Sequence, residues 1–230
     1  MDLIQRAGTH LGTGFLSTPF LLHVLSHHGY LDVAYALLKQ ETPPSWLYAV
    51  KHGATTIWEF WDALDEEGNV HGSLNHCAYG AVGSWLHQVV VGIELGSPGY
   101  KHIRFQPQPG GNLTAASATY ASLYGQIASS WQIEQGQFIL TVTVPASTTA
   151  TICIPARMER QVTEAGQAPE TSEGVIGLKQ EPAGTYIEVG SGTYTFTSRL
   201  AAATELDTGP RKVISFTGVF RTGMQITAKL

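Results

Sequence analysis

Asn75-His76-Cys77-Ala78-Tyr79-Gly80-Ala81-Val82-Gly83-Ser84-Trp85-Leu86-His87-Gln88-Val89-Val90-Val91, followed a few residues on by His102-Ile103-Arg104-Phe105-Gln106, is the stretch on which the fold turns. In the first run apolar side chains fall on nearly every face of a 3.6-residue period, so the spacing predicts a helix over 75–91 buried on most sides. In the second, Ile103 and Phe105 alternate with polar neighbours, the two-residue period of a half-buried strand. Helix chemistry therefore gives way to sheet chemistry near residue 98, and the chain is predicted to be α+β, with helices first and an antiparallel β-sandwich second.

The N-terminal side of this boundary, residues 1–98, is punctuated by Gly and Pro. Thr18 is placed to cap a helix that begins at Pro19 and carries Leu21, Leu22, Val24 and Leu25 as far as Gly29. A second helix over 32–40 has Val33, Ala34, Leu37 and Leu38 on one side and stops before Thr42-Pro43-Pro44. Ser45 is placed to cap a third, over 46–51. On the C-terminal side, alternating or β-rich runs occur over 127–133, 138–144, 151–154, 186–189 and 193–197, spaced as in a sandwich. Residues 159–173 are polar and read as loop. A tail, 199–230, changes composition again, with 213–220 as its one strand-like segment.

Composition excludes several functions. The chain has 230 residues, 13 Lys and Arg against 18 Asp and Glu, and a net charge of -5, divided as 3 basic and 9 acidic in 1–98, 5 and 7 in 99–198, and 5 and 2 in 199–230. Without a basic stripe, nucleic acid is excluded as a partner. No apolar run reaches the roughly 20 residues that cross a bilayer, and residues 1–9 lack the pattern of a secretion signal, so a soluble, cytoplasmic chain without membrane contact is expected. Cys77 and Cys153 are too few and too far apart for a disulfide framework or a CxxC metal site.

Eight of nine His and four of five Trp lie in 1–98, which is where chemistry is to be sought. The densest constellation is Gly53-Ala54-Thr55-Thr56-Ile57-Trp58-Glu59-Phe60-Trp61-Asp62 with Gly72-Ser73-Leu74-Asn75-His76-Cys77. A carboxylate bracketed by aromatic side chains sits against low-dielectric walls, a setting suited to general acid or base work. Flat rings with a few polar groups also suit a sugar, whose C–H faces lie on the rings while carboxylate, amide and imidazole read its hydroxyls. Equally, Trp58 and Trp61 can be core anchors with Glu59 facing water. His23 and His27 have the i, i+4 spacing of a metal pair, but a third ligand is not specified by any motif, and no metal or other cofactor is predicted. Gly8, Gly12 and Gly14 lack the last glycine of a nucleotide loop, Ser17 standing in its place. Cys77 reads as a small buried hydrophobe instead of a nucleophile.

Taken together, Thr13-Gly14-Phe15, Thr18-Pro19, Pro44-Ser45-Trp46-Leu47-Tyr48, Gly53-Ala54-Thr55-Thr56-Ile57-Trp58-Glu59, Ser73-Leu74-Asn75-His76, Ala78-Tyr79-Gly80-Ala81-Val82-Gly83 and Pro98-Gly99-Tyr100-Lys101 make residues 10–198 resemble the C-terminal portion of family 78 glycoside hydrolases, the bacterial α-L-rhamnosidases. The resemblance implies part of an (α/α)6 toroid over 1–98 and a β-sandwich over 99–198. It implies that Glu59 is the general base of an inverting hydrolysis and that His76 contacts the bound rhamnose; by residue type, Trp58, Trp61 and Asn75 join the same sugar site. It also implies a general acid, roughly 6.5–9.5 Å from the base, in an upstream segment that this chain does not contain. Phe60 and Cys77 stand where the family usually has Arg and Tyr, and Asp62, Asp65, Glu66 and Glu67 are the nearby carboxylates that could replace the acid. Two alternatives stay open: a noncatalytic carbohydrate-binding or structural fragment, and a pocket turned to another small-molecule activity. Helix faces left without toroid neighbours predict a homo-oligomer.

Overall fold

The computed structural model describes residues 2–65, 67–155, 158–200 and 225–229. The chain divides into two compact units, Met1–Trp85 and Leu86–Leu230. The strand-like segment 213–220 lies outside the described residues, as does Glu66.

Unit 1 is built from short helices: α1 (Asp2–Arg6), α2 (Thr18–His27), α3 (Leu31–Leu38), α4 (Trp46–Lys51) and α5 (Val82–Trp85). Pro19 opens α2, where its missing N–H costs nothing. Thr18 does not cap this helix through its side chain; its hydroxyl bonds instead to the carbonyls of Thr13 (3.1 Å) and Gly14 (2.8 Å), tying down the preceding loop. Leu22 and Leu25 of α2 are buried, as are Ala34, Tyr35, Leu37 and Leu38 of α3, and these two helices pack together. Trp85, 1% exposed, lies edge-on to Tyr35 at 5.1 Å and donates its indole N–H to Ser26 Oγ at 2.8 Å. Ser45 caps α4, its hydroxyl oxygen accepting the Tyr48 amide at 3.1 Å.

The single helix expected over 75–91 is broken into three pitches: a 3-10 turn (Ala78–Ala81), α5, and a π-helical turn (Leu86–Val90) that opens unit 2. Gly92 ends it with φ +84°, in the left-handed region, its Cα against the backbone of Gln106 and Pro107 where no Cβ would fit. The two units part between α5 and the π-helical turn, after Trp85.

Unit 2 holds two sheets. One has the order β1-β2-β6-β9-β8, from β1 (Ile93–Leu95), β2 (His102–Phe105), β6 (Thr149–Pro155), β8 (Val175–Glu181) and β9 (Gly184–Val189). The other has the order β11-β3-β4-β5-β10-β7, from β3 (Ala115–Ser122), β4 (Gly125–Glu134), β5 (Gln137–Val144), β7 (Met158–Glu164), β10 (Gly192–Leu200) and β11 (Gln225–Lys229). All pairs are antiparallel except β2 with β6. Alternation sorts the side chains. Phe138, Leu140, Val142 and Val144 of β5 are buried, while Thr141 and Thr143 meet Thr195 and Thr193 of β10 across the opposite face at 3.2 and 3.3 Å. Ile127, Trp131, Ile152, Ile187 and Phe196 are 0–1% exposed and belong to the sandwich core.

Residues 159–173, expected as loop, instead contribute most of β7 and a 3-10 turn (Pro169–Thr171). β7 is an edge strand, and edge strands carry polar sequence without penalty. β11 brings part of the tail onto β3, with Ile226 opposite Ala118 and Thr227 opposite Ser117.

Candidate active site

The site lies within unit 1 and is assembled by backbone pairing. The Glu59 amide donates to Ser73 O (2.8 Å), the His76 amide donates to Ile57 O (2.8 Å), and the Thr56 hydroxyl donates to Leu74 O. These bonds zip segment 56–59 to segment 73–76 and place Glu59 and His76 on one ribbon although 17 positions separate them in sequence. No helix contains Glu59; residues 59–62 lie in bends and turns.

The Glu59 carboxylate is half-buried, and its Oε2 accepts the backbone N–H of Ser73 at 2.8 Å. Gly72 makes this possible. Its φ is +67°, and a Cβ there would collide with the Phe60 ring and lie 3.2 Å from Glu59 Oε2. The aromatic bracket is one-sided. Trp58, 6% exposed, is a core residue of unit 1, whereas Phe60 is 44% exposed and packs at 5.1 Å on the His71 ring.

Aromatic rings form a column beside His76. Phe15 stacks on the imidazole (4.8 Å between centroids, 20° between planes) and leans on Tyr79 at 5.2 Å. Tyr79 stacks on Trp61 (3.7 Å, 20°), and Trp46 meets Trp61 edge-on at 5.3 Å while donating its indole N–H to Tyr79 O at 2.9 Å. The imidazole Nδ1 accepts the Ala78 amide at 3.3 Å. Asn75 is exposed, its amide donating to Ser73 Oγ at 3.1 Å. Sequence reasoning assigned no role to Phe15, Gly72, Ser73 or Tyr79, although all four lie inside the quoted motifs; what they do depends on a ribbon that no local pattern announces.

Two of the described nearby acids are engaged elsewhere. Asp62 pairs with His71 at 3.5 Å, and both are exposed. Asp65 accepts the side-chain amide of Asn69 (3.0 Å) and its backbone N–H (2.7 Å), and these bonds hold its carboxyl below the usual range, the wrong direction for a proton donor. Glu67 is exposed. Cys77 is exposed too, contrary to the buried position expected of it. His23 lies 3.4 Å from Ser84 Oγ, and His27 packs edge-on against His28. Among the described residues, no three His, Cys, Asp or Glu side chains gather into a metal-holding group, and no helix is long and apolar enough to cross a membrane.

Comparison with known proteins identifies the family of both units. Residues 1–90 match the model of the bacterial alpha-L-rhamnosidase 6 hairpin glycosidase domain, and residues 92–169 match that of the bacterial alpha-L-rhamnosidase C-terminal domain. An alpha-L-rhamnosidase of Streptomyces avermitilis is 43% identical over 199 residues, 85% of this chain and 18% of that protein. One of Formosa agariphila is 39% identical over 203 residues, 86% of this chain and 22% of that protein. The crystal structure of the Streptomyces avermitilis enzyme complexed with L-rhamnose superposes with a TM-score of 0.76 at 42% identity, over 85% of this chain and 19% of that one. The alpha-L-rhamnosidase of Dictyoglumus thermophilum gives a TM-score of 0.76 at 34% identity, over 86% of this chain and 22% of that one. The chain thus spans about a fifth of the length of the relatives it matches. With residues 1–90 and 92–169 matched by that family's two domains, and solved members superposing over 85–86% of the chain, this chain belongs to the bacterial α-L-rhamnosidase family.

Proposed function

We propose that the ribbon carrying Glu59 and His76 is the water-activating half of an inverting α-L-rhamnosidase site. The observation that supports this is the hydrogen bond from the Ser73 amide, which orients the Glu59 carboxylate through Oε2 and, among the described residues, leaves Oε1 to accept from a water. In the proposed reaction that water attacks the anomeric carbon, its proton passes to Glu59, and the glycosidic C–O bond breaks with inversion. The leaving oxygen needs a proton. Among the described neighbouring carboxyls, Asp65 is held below the usual range and Asp62 pairs with His71, so in this reading the proton comes from a general acid supplied from elsewhere, such as a second copy of the chain.

This division of labour makes a distinctive prediction. A leaving group acidic enough to depart as an anion does not need the missing proton. The chain alone is expected to hydrolyse a dinitrophenyl α-L-rhamnoside, releasing the inverted sugar, and to leave an alkyl rhamnoside intact. Glu59→Gln abolishes the first reaction, by about 100-fold or more. Turnover that survives in Glu59→Gln would refute the role given to Glu59. Binding of L-rhamnose with no turnover of the dinitrophenyl substrate would make the chain a sugar-binding module instead.

A further inference from the structure

We propose that Phe15 and the Ala78 amide act together as positioning groups that hold His76 in its Nε2–H tautomer, making it a hydrogen-bond donor to a sugar hydroxyl. The inference rests on the sugar-site reading of the Glu59 ribbon and extends it to the direction of one hydrogen bond. A backbone amide can only donate, so Nδ1, which receives the Ala78 N–H at 3.3 Å, is the bare nitrogen of a neutral ring and the proton resides on Nε2. That bond exists in one ring orientation only. Rotation of the imidazole by half a turn about its Cβ–Cγ bond would put a carbon where Nδ1 now sits. Phe15 opposes the rotation by lying flat on the ring, 4.8 Å away and 20° from parallel, itself leaning on Tyr79 at 5.2 Å. The backbone under the ring is fixed as well, by the His76 amide on Ile57 O at 2.8 Å. Phe15 is 41% exposed and lies outside the helices, and it meets the packed interior of unit 1 through Tyr79. A neutral donor at this point selects a ligand atom with a free lone pair, such as a hydroxyl oxygen, and carries no charge to attract a carboxylate or phosphate.

The test is long-range 1H–15N correlation spectroscopy of the histidine rings above neutral pH, with His76 identified by the signals that vanish in His76→Gln. The expected wild-type spectrum has a pyrrole-type Nε2 and a pyridine-type Nδ1 for His76. Phe15→Leu is expected to move both signals toward a tautomer average and to speed exchange of the Ala78 amide. It is also expected to weaken L-rhamnose binding, measured by calorimetry, about 2- to 10-fold. Phe15→Tyr, which keeps the ring, restores all three. A pyrrole-type Nδ1 in the wild type, or an unchanged pattern in Phe15→Leu, overturns the proposal. If the pattern behaves as expected but wild-type protein takes up no L-rhamnose, the sugar-site reading fails and the donor role with it, while the positioning of His76 by Phe15 stands.

Discussion

His87 is the most consequential buried polar group in unit 2. It is 5% exposed, and neither ring nitrogen has a hydrogen-bond partner among the described residues; its near aromatic neighbour is Tyr120, 6.0 Å away. Burial lowers its pKa from 6.5 to about 4. The unfolded chain therefore binds more protons than the folded one between those values. Stability contributed by this site is complete above pH 6.5 and is lost as pH falls through the folded value. A difference of that size corresponds to about 3 kcal/mol in full, and about 2.5 kcal/mol of it falls between pH 7 and roughly pH 4.5. His87→Leu, close in volume and without polar atoms, removes this titration together with the roughly 1–3 kcal/mol penalty of an unpartnered neutral imidazole. The variant should be more stable at pH 7 by about 1 kcal/mol or more, and the advantage should widen by about 2.5 kcal/mol at the lower pH. Urea unfolding at both pH values, read from hydrogen exchange of β4 and β5 amides so that unit 2 is followed by itself, measures this. Carboxylates titrate in both proteins and cancel in the comparison. Stability curves that run parallel for variant and wild type between the two pH values would refute the reasoning.

Two further substitutions test how unit 2 is held. Trp131→Phe removes the indole N–H that reaches Val90 O at 2.7 Å and leaves that buried carbonyl without its donor, so unit 2 should lose about 1–3 kcal/mol; a change under about 0.5 kcal/mol in the same exchange measurement would contradict it. Gly92→Ala forces a Cβ into the Gln106–Pro107 backbone at a φ of +84°, which should cost at least about 2 kcal/mol; a urea midpoint equal to that of the wild type would show that the loop yields.

The legible and illegible parts of this molecule differ in how far each element's signal extends along the chain. Pro19, Ser45 and Pro44 mark helix boundaries by local chemistry, and the α4 range, Trp46–Lys51, follows from its cap alone. β5 and β10 announce themselves because large apolar residues alternate with threonine. β3 escaped notice since its inward residues are Ala116 and Ala118, too small to mark a hydrophobic face. β7 is hard to read for the opposite reason: at a sheet edge polar side chains are tolerated, and its sequence resembles loop. The run over 75–91 is buried mainly from Trp85 to Val91, its earlier part being largely exposed or half-buried, and periodicity does not distinguish 3-10, α and π pitch within one apolar run. In the site, Glu59 and His76 were visible as residue types in motifs. The Ser73 amide, the Gly72 turn and the Phe15 ring were not, because an amide and a stacking plane carry no signature until two distant segments pair.

The two side chains that β4 sends to the end of the π-helical turn bear on how this polypeptide can be cut. Ser129 Oγ donates to Val91 O at 3.0 Å as Trp131 does to Val90 O, and both donors are buried. A severed sandwich that began with the first strand, at Ile93, would therefore carry two interior donors with nothing to receive them, a debt of about 2–6 kcal/mol before any other contact is counted. The π-helical turn Leu86–Val90, with Val91 after it, travels with the sheet. Dissection at the junction of the two units, directly after Trp85, should yield a fragment that folds, whereas a cut seven residues later, at the boundary that secondary structure suggests, should yield one that aggregates.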